Sequence, residues 1–285
     1  MSMSRITEGP DFIDILVGGR VPEKAFILYA DHCEDLQQSQ EVIDYEATLA
    51  DIVSQGCQGY TVSDRDGDMS RAENTALRVD IEVHDREPQC LIKQVKCIFD
   101  GLNGSAYKDD RSIVRLRAEY ISDSVEYAQI HITPAVAGDM PLLTENAFTI
   151  DCKIYTMKNV GRHLDGTPLC GEAMKKDAQM ITAIRQEADA KDTSLICGEF
   201  ELKAIFGTKE VNKSLPLTER IAMADYQRHC TYMPDIDNLV FALLASLNGY
   251  ALDAINCRTI DVAKTYYSEE LSPARNIIEL KEIRS

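Results

Sequence analysis

The chain has 285 residues, enough for one large domain or two of ordinary size, and its 45% apolar and 27% charged content is typical of a folded protein rather than a disordered one. Its longest apolar run, residues 239–247, is far shorter than the roughly 20 residues of a membrane-spanning helix, so we expect no membrane segment. The formal net charge of -17 counts against nucleic-acid binding, because Lys and Arg supply most of the affinity for phosphate. Nine cysteines without a CxxC pair, and an N-terminus without a secretory signal pattern, predict a reduced, cytoplasmic protein.

The first half of the chain contains a polar helix candidate at residues 37–53 and an alternating strand candidate at residues 76–85. Between them, the acidic stretch 64–68 is similar to the start of an EF-hand loop, but it lacks the glycine and glutamate of that motif and is predicted to be a polar loop. An apolar helical run then leads into the tripeptide LNG, which ends at Gly104. Two strand candidates follow, one that alternates through residues 113–117 and one at residues 126–133.

The second half of the chain repeats this order. A polar helix is predicted at residues 171–190, and a strand at residues 199–207. An apolar helix at residues 238–247 leads into a second LNG, and two further strands follow, the last at residues 276–282. The glycines of the two LNG turns, Gly104 and Gly249, are 145 residues apart, about half the chain.

This internal similarity predicts an α+β fold of two tandem repeats packed as a pseudo-dimer. We assign the repeats to residues 1–140 and 141–285, each of a normal domain size. The stretch 135–146, which contains proline and glycine, is the predicted linker.

Asp235 and Asp237 stand one residue apart, directly before the second apolar helix, in the sequence PDIDN. Residues i and i+2 of an extended segment face the same way, and the N-terminus of a helix favours anions. Paired carboxylates in this position are a candidate metal site, because Mg²⁺ prefers oxygen ligands. A plain helix cap at Asp237 is the alternative interpretation.

The pattern of PDIDN, an apolar helix, LNG, an acidic turn and an alternating strand resembles the RusA family of Holliday-junction resolvases. In that family the order is D-x-D-N, a helix that carries a lysine, a glycine turn, a pair of acids and a strand. Its members are homodimers whose aspartates bind magnesium ions and cut four-way DNA junctions. The second half keeps Asp235 and Asp237, but it has Phe241 at the lysine position, and Ala254 and Ile255 replace the acid pair.

The first half departs from the family in the opposite way. It has lost the D-x-D pair in its CLIK segment, residues 90–93, yet Lys96 stands at the lysine position and Asp109 and Asp110 stand at the acid pair. Each half therefore lacks what the other keeps. On residue type alone, Asp109 and Asp110 could also be ordinary turn residues, and Lys96 could only solvate its helix.

The resemblance implies a magnesium-dependent endodeoxyribonuclease that resolves Holliday junctions or other branched DNA, with Mn²⁺ as a possible substitute. Its metal ligands would be Asp109, Asp110, Asp235 and Asp237, with Lys96 beside the scissile phosphate, in one composite site between the repeats. The chain would act as a monomeric pseudo-dimer or as a homodimer. The alternative is a catalytically degenerate protein that binds a protein partner or mimics DNA, since residues 1–150 contain 13 Lys and Arg against 27 Asp and Glu.

Overall fold

A nine-stranded mixed sheet runs through both halves of the chain in the computed structural model, which describes residues 4–9, 11–24, 38–56, 76–155, 172–190, 196–272 and 274–283. Its strands are β1 (Arg5–Gly9), β2 (Phe12–Gly18), β3 (Leu77–Asp85), β4 (Ile113–Ser122), β5 (Tyr127–Pro134), β6 (Phe148–Ile150), β7 (Phe200–Glu210), β8 (Cys257–Tyr267) and β9 (Asn276–Glu282). They lie in the order β1-β2-β5-β3-β4-β8-β7-β9-β6. The helices of the described residues are α1 (Gln40–Gly56), α2 (Leu91–Leu102), α3 (Glu172–Ala190), α4 (Leu217–Ala224) and α5 (Ile236–Leu247). The predicted α+β class is confirmed.

The strand pairing has the same pattern on the two sides of the sheet. β3 pairs parallel with β4 and antiparallel with β5, just as β7 pairs parallel with β8 and antiparallel with β9. The antiparallel pair β4 and β8 joins the two sides, and Arg117 lies opposite Asp261 in it. Because β4 begins at Ile113 and β8 at Cys257, Arg117 and Asp261 occupy equivalent positions in their strands. An antiparallel strand pair in which equivalent residues lie opposite each other has the register expected of a local two-fold axis.

Both LNG turns have the predicted position and the same backbone. Gly104 and Gly249 adopt φ values of 77° and 69°, in the left-handed region where a side chain would be strained. The amide of Gly104 donates to the carbonyl oxygen of Tyr107 at 2.8 Å, and that of Gly249 donates to the carbonyl oxygen of Leu252 at 2.9 Å. Each turn therefore ends an apolar helix and turns the chain toward a central strand.

The two apolar helices lie over the centre of the sheet. Both α2 and α5 contact β4 and β8 and also contact each other, while α1 packs against α2 and α3 against α5. One hydrophobic cluster extends across the junction of the two sides, where the fully buried Leu116 pairs with the fully buried Val262. Burying each such side chain contributes about 1.5–3 kcal/mol, so the junction is a stabilising part of the core.

Several elements differ from the sequence predictions. The hairpin of β1 and β2 and the short helix α4 were not predicted, and α5 begins at Ile236 rather than at residue 238. The predicted first residues of α1 and α3, 37 and 171, and the acidic loop 64–68 lie outside the described residues. The predicted boundary at residues 140–141 falls between β5 and β6. Among the described helices, none has the length and apolar character needed to cross a bilayer.

Candidate functional site

Asp235 is the N-cap residue of α5, and Asp237 lies in the first turn of that helix. The backbone of Asp235 is extended, with φ -69° and ψ 152°, and its side chain makes no capping hydrogen bond. Instead, Asn238 Nδ2 donates to Asp235 Oδ2 at 3.2 Å, while Asp235 Oδ1 is buried without a hydrogen-bond partner. The interpretation of Asp237 as a plain helix cap is therefore wrong.

Asp109 and Asp110 form the entry to β4. Asp109 caps a short 3-10 helix, Asp110–Ser112, because its Oδ1 accepts from the Arg111 amide at 2.9 Å. Its Oδ2 also accepts from Arg111 Nε at 2.7 Å. Asp110 is only 8% exposed, so its carboxylate points into the protein rather than into solvent. The turn thus gives the two acids different surroundings.

The carboxylates of Asp109, Asp110 and Asp235 converge. One oxygen of each lies within 4.8 Å of the others, which is close enough for all three to hold a single metal ion. It is the one such cluster of three or more ligating side chains in the described part of the chain. Two of its members come from the first half and one from the second, so the predicted segments of opposite halves do meet.

Asp237 does not join that cluster, although the sequence predicted it as a fourth metal ligand. Its side chain is fully buried, and Lys96 Nζ lies 3.2 Å from its Oδ2. Lys96 also reaches Asp100 Oδ1 at 2.9 Å, and Asp100 Oδ2 lies 2.6 Å from Lys24. The lysine predicted to contact phosphate is therefore held at the site by two carboxylates, one from each half of the chain.

Burial makes the acid cluster electrostatically unfavourable. It raises the pKa of Asp110 to about 7, and the neighbouring Asp235 and Asp237 carboxylates add to that rise. Burial and then Asp237 raise the pKa of Asp235 to about 6. In contrast, the hydrogen bond from the Arg111 side chain lowers the pKa of Asp109. A bound cation would relieve the repulsion at Asp110 and Asp235.

Lys96 keeps its positive charge in this environment. Burial lowers its pKa, but the carboxylates of Asp237 and Asp100 outweigh that effect, and the net result is a raised pKa. The side chain of Lys96 remains 16% exposed, whereas Asp237 is 0% exposed. A permanent cation thus lies at the rim of a carboxylate cluster.

Lys264 belongs to the same region and was missed in the sequence. It lies on β8 and is 1% exposed, and its Nζ donates to Arg111 O at 2.8 Å and to Pro234 O at 3.4 Å. The signal for it was weak, because a lysine in an alternating strand is usually on the solvated face. Here β8 is central in the sheet and is buried along most of its length.

The equivalent positions on the other side of the sheet lack these groups. Cys90 is the N-cap of α2, as Asp235 is of α5. Asp253 caps the 3-10 helix Ala254–Asn256, as Asp109 caps its own, so Ala254 is the counterpart of Asp110. The sequence alignment that set Ala254 and Ile255 against the acid pair was therefore wrong by one residue. The second half retains the capping acid and has lost the buried one.

Neither a protein-family model nor a curated protein matches this chain.

Proposed function

We propose that the chain is a tandem-duplicated, RusA-like endonuclease that cuts four-way junctions or other branched DNA, with one composite site between its two repeats. The observation that carries the proposal is the convergence of Asp109 and Asp110 from one half with Asp235 from the other. The repeated strand pairing and the two-fold register of β4 and β8 support an internal pseudo-dimer. The unit would act as a monomeric pseudo-dimer or as a homodimer.

The residues of the cluster fit a hard divalent cation, and we assign Mg²⁺, with Mn²⁺ as a substitute. All of the donors are carboxylate oxygens, the ligand type that Mg²⁺ prefers. Asp235 Oδ1 is buried without a hydrogen-bond partner, which is costly unless a cation compensates it. Asp110 and Asp235 would be the main ligands and Asp109 an additional one. When bound, the metal supplies a Lewis acid and an activated water for phosphodiester hydrolysis.

The protein's own residues divide the remaining work. Lys96, held by Asp237 and Asp100, would approach a phosphate oxygen and stabilise the negative charge on the leaving oxygen. Asp237 fixes the position of Lys96 rather than binding the metal directly. Burial of Asp110 keeps bulk water away from the inner side of the cluster, which strengthens every electrostatic interaction there.

Exposed groups beside the cluster offer contacts for nucleic acid despite the acidity of the chain. The side chain of Arg111 is 52% exposed, next to Asp109 and Asp110. Tyr232, three residues before Asp235, is 52% exposed, and Lys209 Nζ lies 5.3 Å from the centroid of its ring. An exposed aromatic ring with a nearby cation is a surface on which a base can stack and a phosphate can be neutralised.

We also propose a cellular compartment for the protein. The described cysteines, Cys90, Cys97, Cys152, Cys197, Cys230 and Cys257, are all free thiols. Free thiols are typical of a reducing compartment, so we place the protein in the cytoplasm.

Cleavage of a synthetic four-way junction in Mg²⁺ or Mn²⁺ tests the proposal. Asp110→Asn and Asp235→Asn should each lower the cleavage rate by at least about 100-fold, since loss of even an outer-shell group costs up to about that much. Asp253→Asn, at the counterpart of Asp109, is the matched control and should cut like the wild type. If the wild type cuts and either Asp110→Asn or Asp235→Asn still does, the composite site is wrong. If the wild type leaves branched DNA intact, the endonuclease is wrong.

The net charge of -17 favours a second candidate, a degenerate RusA-like module that binds a protein partner or mimics DNA. A thermal melt separates the two candidates, because a ligand that binds only the folded state raises the melting temperature. The endonuclease should gain stability in Mg²⁺ or Mn²⁺, whereas a degenerate module should not. A salt-dependent gel shift on junction DNA without cleavage would instead indicate a binding protein.

A further inference from the structure

Lys264 is a buried lysine whose hydrogen bonds both end on backbone carbonyls. It is 1% exposed, and its Nζ donates to Arg111 O at 2.8 Å and to Pro234 O at 3.4 Å. Arg111 directly follows Asp110, and Pro234 directly precedes Asp235. One ammonium group thus connects the two loops that bring the buried carboxylates of the cluster together.

Burying an ammonium group costs free energy, so packing alone does not explain a lysine at this position. Desolvation of a charge costs several kcal/mol in a protein interior, and an apolar side chain of similar length would fill the same space without that cost. Burial lowers the pKa of Lys264, opposed by Asp235 and the other nearby acids. The nearby carboxylates and the hydrogen bonds to Arg111 O and Pro234 O offset this cost, and those two bonds give Lys264 a defined position between the loops.

The other side of the sheet shows how the same loop is held without a site. Ile255 is the counterpart of Arg111, and its carbonyl oxygen accepts from Arg258 Nη1 at 2.7 Å. Arg258 also pairs with Glu199, which belongs to the same half of the chain. The counterpart of Lys264 is Tyr120, whose hydroxyl donates to Asp85 O at 3.0 Å, again within one half. Lys264 hydrogen-bonds one loop of each half, whereas on the other side the two halves meet through the Arg258 guanidinium, 5.0 Å from the centroid of the Tyr120 ring.

We infer that Lys264 is a positioning residue that fixes the spacing of Asp110 and Asp235 across the junction of the two halves. It would do so through the backbone, without contacting the metal or the substrate. This inference rests on the proposed function, because it assigns Lys264 to the same metal cluster.

The test compares Lys264→Met with Arg258→Met, which removes the corresponding bond at the equivalent loop. Hydrogen–deuterium exchange would be measured for residues 107–113 and 232–238, and Mn²⁺ affinity by calorimetry, on the full chain. We expect Lys264→Met to speed exchange in both segments and to weaken Mn²⁺ binding by about 10–100-fold, the usual effect of removing an outer-shell group. Arg258→Met should speed exchange around residue 255 and leave the Mn²⁺ affinity unchanged.

Cleavage kinetics provide a readout that a general loss of stability would not give. If Lys264→Met only misplaces the carboxylates, its low activity at limiting Mn²⁺ should recover at saturating Mn²⁺. Lys264→Gln, which retains a donor on a shorter side chain, should show a smaller change in affinity, and it serves if the Met variant does not fold.

Lys264→Met and Lys264→Gln variants that bind Mn²⁺ as tightly as the wild type would overturn the inference. If the wild type binds Mn²⁺ but cuts no junction, the endonuclease fails, and the affinity comparison still decides the role of Lys264. A wild type that does not bind Mn²⁺ overturns both proposals.

Discussion

The two sides of the central strand pair have the same backbone but different chemistry. Asp235 and Cys90 are both helix N-caps in extended conformation without a side-chain capping bond. Asp110 and Ala254 both begin the 3-10 helix that follows an LNG turn. Because cysteine and alanine build the same turns, the fold does not require the acids at these two positions. The backbone turns therefore do not account for the buried carboxylates, and the proposed metal site gives them a role.

Asp109 and Asp253 show the opposite relation, since this acid is present on both sides. Each accepts a hydrogen bond from the amide two residues later, at 2.9 Å for Asp109 and 3.2 Å for Asp253. The turn interpretation of Asp109 is therefore correct as far as it goes, and its place in the carboxylate cluster comes in addition. The backbone turn therefore uses Asp109 as a cap, whereas the fold does not require an acid at Asp110 or Asp235.

Among the predicted effects on the free energy of unfolding, the loss caused by replacing Lys96 is expected to be the largest. Lys96→Met leaves Asp237 buried without its cation, and breaking a buried pair costs about 3–5 kcal/mol of unfolding free energy. The counterpart of Lys96 is Phe241, so Phe241→Leu is the matched control and should cost only about 1 kcal/mol. Urea denaturation without metal measures both values. Equal losses in the two variants would mean that the Lys96–Asp237 pair contributes nothing specific.

The pH dependence of stability should reveal the acid cluster directly. The folded-state pKa of Asp110 is about 7, above the ordinary 3.8, so the folded state binds the proton more tightly than the unfolded state. The resulting stabilisation is fully present below about pH 4 and is lost as the pH rises through 7, and it is on the order of 4 kcal/mol. Asp110→Asn removes this titration.

The measurement is the difference in unfolding free energy between wild type and Asp110→Asn, without metal, from pH 4 to pH 8. The wild type should lose stability relative to the variant as the pH rises, and saturating Mg²⁺ should restore it at pH 8. A difference that stays constant with pH would show that Asp110 is not in a desolvated acid cluster.

The smallest expected effect concerns the shared capping acids. Asp109→Ala and Asp253→Ala should each cost about 1 kcal/mol in unfolding free energy, because each loses one cap. Only Asp109→Ala should also weaken Mn²⁺ binding, which calorimetry can measure. Equal Mn²⁺ affinities in the two variants would reduce Asp109 to a cap and leave Asp110 and Asp235 as the ligands.

Much of the fold could be predicted because local signals and the repeat agreed. The sequence pattern gave helices α1, α2, α3 and α5 but not α4. Alternation gave β3, β5, β7 and β9 to within a few residues, and the LNG turns gave the offset between the halves. β1 and β2 have no counterpart in the repeat, so the internal similarity did not indicate them.

The sequence predicted which residues converge better than it predicted what each residue does. Asp109, Asp110 and Asp235 do converge, but the partner of Asp237 is Lys96, which no local pattern specifies. Lys264 was missed because burial of a central strand on both faces depends on helices distant in the sequence. These details arise from tertiary packing, and sequence spacing carries no record of it.

The contribution of both halves to one cluster has a consequence for synthesis of the chain. Lys96 and Asp110 leave the ribosome well before Asp235, and Lys264 follows later still. Because domains generally fold in the order in which they emerge, the first half is made before β8 can be added beside β4. A nascent chain therefore has no complete carboxylate cluster until most of the protein has been made.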